Sequence, residues 1–196
     1  MQNKTHHHKT ATFAGGCFWC IQSDFDKHSG VIEAISGYTG GHKPNPTYED
    51  VSSGLSGHLE AVQVRFDPER ISYDKLLDIF WKHVDPTDNG GQFVDRGAQY
   101  RTAIFFHDDR QKTTAESSKL ALARSGRFDK PIATAILPMK EFFPAEACHQ
   151  QYYKKNPIRY KFYRANSGRD QFLKKIWQAN TTIEGTDNYC FFQCDP

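Results

Sequence analysis

Two cysteines, Cys17 and Cys20, stand just after Gly15 and Gly16 in the stretch TFAGGCFWCIQSDF. A thiol placed after a strand and two glycines, at the start of a helix, faces unsatisfied N–H groups and the positive end of the helix dipole. That setting lowers the thiol pKa and enlarges the thiolate fraction. Cys20 follows at i+3 on the same helical face, within disulfide reach if the first turn is suitable. The pair therefore reads as a nucleophile, Cys17, with a thiol beside it that can resolve. Phe18 and Trp19 between them read locally as core aromatics, or else as an apolar pocket for a methyl or other small group. Glu60, in GHLEAV, is flanked by Leu59 and Ala61. A carboxyl in apolar surroundings keeps its proton to higher pH and suits a general acid; the alternative is a strand glutamate facing solvent. Tyr48 and Tyr100 can donate hydrogen bonds to a developing oxyanion, or pack.

These residues are far apart in the chain, so the elements between them must bring them together. KTATFAGG reads as a strand ending in glycines, followed by a helix from about Cys17 to His28. VIEAISGYTGG, LEAVQVRFDP, RTAIFFHDD and PIATAILPM are further strands. SYDKLLDIFWKHV, with Ser72 as N-cap, and DRQKTTAESSKLALARSG, closed by Gly126, are helices. PAEACHQQYYKKN reads as a helix with Pro144 near its first turn, in which Cys148 would be packed. Two long loops rich in Gly, Asp and Tyr carry Tyr48 and Tyr100, and loops of that length are more often functional than mere connectors. The order of elements predicts an α/β (α+β) two-layer sandwich, a mixed sheet flanked by helices with long irregular loops and C-terminal segment. Residues 1–8 read as a tail, 9–178 as one catalytic domain, and 179–196 as a mobile tail holding Cys190 and Cys194.

Composition narrows the function. The 196-residue chain has a net charge of +2 with its basic residues spread out, so nothing calls for nucleic acid or an anionic membrane. No apolar run approaches the roughly 18 residues of a membrane span, and the N-terminus lacks a secretory h-region. A cytoplasmic protein with thiols kept reduced between events is expected, a monomer by default. The five cysteines are odd in number and unevenly spaced, and a chain this long does not need a disulfide framework. Two rival chemistries remain open on the cysteines alone. One is a thioredoxin-like dithiol exchange at Cys17 and Cys20, although such proteins carry Trp before the first cysteine. The other is a structural zinc site from Cys17, Cys20, Cys190 and Cys194.

Taken together, GGCFWC, SGYTGG, NPTYEDV, GHLEAVQVRFDP, DPTDNGGQFVDRGAQYR and HQQYYKKNP resemble the A-type peptide methionine sulfoxide reductases, from about Lys9 to Trp177. The resemblance implies a ferredoxin-like fold and reduction of methionine S-sulfoxide, free or in proteins. It makes Cys17 the attacking thiol and Glu60 the acid that protonates the sulfoxide oxygen, with Tyr48 and Tyr100 bonded to that oxygen. Phe18 and Trp19 then line the methyl pocket, with Asp95 and His149 around the site. It also implies a sulfenic acid intermediate, closure to a disulfide, and an external reductant, thioredoxin or dithiothreitol, with no metal or organic cofactor. Many relatives carry the resolving cysteine after KNP; here IRYKFYRANSGRD holds none, which leaves Cys20, Cys190 and Cys194 as candidates and Cys148 as a remote one.

Overall fold

Alternation along KTATFAG sends Ala11 and Phe13 to one face of a strand and Ala14 to the other. In the computed structural model, which describes residues 7–178, this strand is β1 (Lys9–Gly15). It is followed by α1 (Phe18–Asp26), β2 (Val31–Thr39), α2 (Tyr48–Ser52), β3 (Leu59–Phe66) and α3 (Tyr73–Trp81). The hairpin β4 (Gly91–Gln92) and β5 (Asp95–Arg96) leads through a short 3-10 turn, Ala98–Tyr100, into β6 (Thr102–Phe106). The chain continues with α4 (Asp109–Arg124), β7 (Ala135–Pro138), β8 (Phe142–Pro144), α5 (Tyr152–Lys155), α6 (Pro157–Asn166) and α7 (Arg169–Gln178).

Four antiparallel strands in the order β6-β1-β3-β2 form a ferredoxin-like sheet. β7 joins β6 in parallel across the α4 crossover, and β8 adds to the other edge beside β2. The result is the mixed sheet flanked by helices that the sequence predicts. Phe13, Phe25, Val62, Val64, Phe66, Leu76, Leu77 and Phe80 fill the main core, and a smaller cluster of Ala14, Leu59, Ala61, Ala103 and Phe105 fills another. β3 is buried along most of its length, so its alternation is blurred: the apolar phase changes between Ala61 and Val62.

The chain departs from the sequence reading around PAEACHQQYYKKN. Helix is confined there to Tyr152–Lys155, Pro144 ends a strand rather than opening a helix, and Gln151 takes a left-handed φ of 51°. Sheet pairing and two glutamines override helical propensity. The Ala145 amide extends the pairing with Ser36 O at 2.9 Å. Gln150 accepts from Ser36 N at 3.0 Å and donates to Ser36 O at 2.7 Å and Ala145 O at 2.9 Å. Gln22, buried on α1, donates to Ala34 O and to Gln150, and accepts from Gln151 N at 2.7 Å. Cys148 is consequently exposed in a turn, not packed in a helix. The segment after Pro157, read from sequence only as wrapping the domain, is two helices; Arg164 of α6 binds Asp24 of α1 at 3.0 Å and holds it there. No described helix is long and apolar enough to cross a membrane.

The main core predicts a large cost for truncating its centre. Phe13 is fully buried and its ring lies 4.9 Å from Phe25 and 5.3 Å from Phe80. Phe13→Ala is expected to lose about 3–5 kcal/mol, read from the urea midpoint at unchanged m; a loss under 1 kcal/mol would contradict this packing.

Candidate active site

The strand-to-helix junction fixes Cys17. β1 ends at Gly15, Gly16 adopts a φ of +83°, and Cys17 becomes the N-cap of α1. A Cβ on residue 16 would be strained in that conformation and would meet Gln92 Cβ at 2.5 Å. Gln92 is itself held, accepting from Asp85 N and donating to Asp85 O, both at 2.8 Å. From the other side the buried Arg169 donates to Gly15 O at 3.0 Å and to His83 O at 2.5 Å. The junction therefore has little freedom, and Cys17 is only 5% exposed.

Glu60 shares a strand face with Val62, Val64 and Phe66, which places its carboxyl under the start of α1. The Phe18 amide, an orphan donor of the first helical turn, donates to Glu60 Oε2 at 2.9 Å. Burial pushes the Glu60 carboxyl up to about 8, the negative charges of Asp95 and Cys20 push the same way, and the Phe18 bond opposes them. At neutral pH the group is a carboxylic acid with a proton to give. Tyr48 opens α2, whose capping box joins Thr47 and Asp50; Tyr100 ends the 3-10 turn. Burial and then the charge of Glu60 push the Tyr48 hydroxyl up to about 12 and Tyr100 in the same direction. Both remain hydrogen-bond donors.

The thiols behave differently from the sequence expectation. The helix start does not lower Cys17: burial pushes its thiol well up, and Cys20, Glu60 and Asp95 add to the shift. Desolvation of the nearly enclosed sulfur is the largest cause. Cys20, hydrogen-bonded to Cys17, is lowered to about 7 by that bond, against burial and with help from Arg169 and Arg164. Asp95, on β5, accepts from the Tyr163 hydroxyl at 2.5 Å. Burial and then the charges of Cys17 and Cys20 push that hydroxyl far above the usual phenol range.

An aromatic wall closes one side. Phe18 is buried, with its ring 5.8 Å from Tyr38 and 5.5 Å from His149. Trp19 is half-buried, stacks on Tyr152 at 3.9 Å and donates from Nε1 to His149 Nδ1 at 3.3 Å. The His149 ring stacks on Tyr48 at 4.3 Å, and burial lowers its basicity, which suits a neutral ring accepting at Nδ1. Glu146 ties the wall together, accepting from Tyr38 Oη and Tyr48 N at 2.8 Å each.

Cys17, Glu60, Tyr48, Tyr100, Asp95, Phe18, Trp19 and His149 thus meet around one sulfur, with Cys20 behind it. Cys190 and Cys194 lie outside the described residues. Sequence reasoning missed Tyr163, Arg169, Glu146 and the Gln22–Gln150 bridge. The aromatic-basic run FYRANSGRD was the visible signal for the first two; the others owe their roles to tertiary contacts that carry no local pattern.

The family model for peptide methionine sulfoxide reductase matches residues 9–181. The chain is 57% identical over 167 residues to the peptide methionine sulfoxide reductase MsrA of Bacillus licheniformis, covering 85% of this chain and 92% of that one. It is similar in structure to reduced Mxr1 from Saccharomyces cerevisiae, with a TM-score of 0.72, 31% identity, and coverage of 80% of this chain and 90% of that one. A second Mxr1 structure, in complex with Trx2, matches at a TM-score of 0.51 and 25% identity over 78% of this chain and 89% of that one.

The raised Glu60 has a thermodynamic signature. Its folded-state pKa of about 8 lies above the ordinary 4.5, so between those values the folded chain holds a proton that the unfolded chain has released. Stability from this group is full below about pH 4.5 and is lost as pH rises towards 8. Glu60→Gln abolishes that loss, so its stability relative to the unsubstituted protein is expected to rise across this window, by up to about 1.4 kcal/mol per pH unit. Denaturant melts at several pH values measure it; parallel curves would mean that Glu60 titrates normally.

Proposed function

The chain belongs to the peptide methionine sulfoxide reductase family, and within that chemistry we propose that Cys17 attacks the sulfoxide sulfur while Glu60 protonates the oxygen. The enzyme reduces methionine sulfoxide to methionine. One observation carries the assignment of roles: a carboxyl still protonated near neutrality is hydrogen-bonded to the amide adjoining the buried thiol. A sulfoxide oxygen leaves poorly until it takes a proton, so acid and nucleophile must act on neighbouring atoms. Tyr48 and Tyr100 hold that oxygen by hydrogen bonds. Phe18 and Trp19 receive the methyl group, and His149 keeps Trp19 in place.

The S epimer, free or within oxidised proteins, is the proposed substrate. Methionine leaves and Cys17 becomes a sulfenic acid. Cys20 condenses with it to a disulfide and releases water; its contact with Cys17 and its low pKa support this choice, with Cys190 or Cys194 as the alternative partner. Thioredoxin is the proposed physiological reductant, in keeping with the Trx2 complex of the yeast relative, and dithiothreitol serves in vitro. The proposed cycle uses no prosthetic group. Residues 9–178 form the proposed catalytic unit, working as a monomer in the reducing cytoplasm.

A single turnover without reductant tests the scheme. Reduced enzyme mixed with excess methionine S-sulfoxide is expected to release methionine and show a Cys17–Cys20 disulfide by mass spectrometry. Cys17→Ser should release none. Glu60→Gln should slow the first step by about 100-fold or more, with partial recovery in acid. Cys20→Ser should still release one methionine but trap the sulfenic acid. Methionine from the Cys17 variant, or full speed without the Glu60 acid, would refute that assignment.

A further inference from the structure

Helix α6 carries two large apolar side chains that the packing leaves outside. Ile158 and Phe162 are 84% and 73% exposed. They stand one turn apart, and with the exposed Lys161 and Ala165 they make one outward face at i, i+3, i+4 and i+7. No other two exposed large apolar side chains lie one helical turn apart among the described residues. The inner face of α6 is engaged with the domain. Tyr160 is buried, Tyr163 bonds to Asp95, and Arg164 binds Asp24 and Asp170.

The same face has one sign of charge. From Tyr152 to Asn166 the sequence YYKKNPIRYKFYRAN holds five basic residues and no acidic one. The acids that approach from neighbouring elements are engaged inward: Asp24 and Asp170 with Arg164, Asp26 with Tyr153 and Lys154, Asp95 with Tyr163. Arg159 and Lys161 are exposed and make no ion pair with a described residue. A ridge that is both basic and apolar matches an occupant that is acidic and aromatic.

We propose that the outward face of α6 is the docking site of residues 179–196 of the same chain. Their sequence, ANTTIEGTDNYCFFQCDP, has the required chemistry. Glu184, Asp187 and Asp195 are its charges, with no Lys or Arg, and Tyr189, Phe191 and Phe192 are its aromatics. Residues 1–6, MQNKTH, carry a lysine and neither an acid nor Phe, Tyr or Trp, and do not fit the ridge. Reach is sufficient. Thirteen residues lead from Gln178 to Phe191, and a chain of that length spans up to about 43 Å when extended, against about 15 Å for a ten-residue helix. α7, from which the segment departs, is joined to α6 through Ser167 and Gly168 alone. Such a tether supplies a high local concentration, so two apolar anchors and a few exposed charge pairs suffice without a deep groove. Docking there holds Cys190 and Cys194 beside the helix that bears Tyr163 and requires no redox step of them. It does not depend on the roles proposed for Cys17, Cys20 and Glu60.

The test is the rate at which iodoacetamide alkylates Cys190 and Cys194 in the full, reduced chain, mapped by mass spectrometry. At low salt both thiols are expected to react about 10-fold more slowly than in the variant carrying Arg159→Glu, Lys161→Glu and Phe162→Ser. Raising the salt to about 0.5 M should remove much of that protection. Glu184→Lys with Asp187→Lys leaves residues 7–178 untouched and should expose the thiols as well. Combined with Arg159→Glu and Lys161→Glu, the same pair should restore the protection. Equal rates in all variants, or no rescue by the charge exchange, would overturn the docking. Protection that falls on dilution would overturn it too, by placing the segment on a second copy of the chain. So would unchanged thiol rates with a raised KM for an acidic methionine-sulfoxide peptide, which would make the ridge a substrate surface. The thiol readout involves no turnover, so its failure leaves the proposed catalytic cycle untouched.

Discussion

The hydrogen bond from the Phe18 amide to Glu60 joins the proposed acid to the turn that carries the proposed nucleophile, and much of the structure serves to make it. It needs a strand whose apolar row ends in a carboxyl, and a helix whose first amide has no partner of its own. It also needs a junction that brings the two within 2.9 Å. Gly15 and Gly16 supply the junction; Gln92 and Arg169 grip it from opposite sides. The same bond sets the distance between acid and thiol, because Cys17 is the residue before Phe18.

Burial then decides the protonation states. In water a carboxyl would be ionised and phenols would be solvated. In this site, Glu60, Asp95, Tyr48, Tyr100 and Cys17 all move towards their neutral forms. Cys20 is the exception, because Cys17 bonds to it and two guanidinium groups, Arg169 and Arg164, lie near it. A site of neutral donors around one thiol, with a neighbouring sulfur prepared to ionise, suits the two steps of the proposed cycle.

Much of this was legible before the fold was known. The glycine pair, the cysteine spacing and the enclosed glutamate carry local physical signals, and the strands and helices that position them have clear periodicity. The quoted motifs carried the rest of the site list. What could not be read was the sign of the Cys17 shift, since the dipole is visible in sequence and the depth of burial is not. Tyr163 was equally hidden, because its role depends on α6 folding back over α1 from more than a hundred residues away. The region around His149 misled for a related reason: its composition favours helix, and only contacts with Ser36 and Gln22 show why it is not one.

Those contacts are all made by uncharged amides and backbone groups. The bridge of Gln22 and Gln150 that fixes the His149 turn against β2 and α1 has nothing to protonate and no net charge for salt to screen. Glu60 and the two thiols can each titrate while this brace keeps its geometry. This brace is in that sense electrically silent, whereas Arg169 and Arg164 hold other parts of the frame and also act on Cys20.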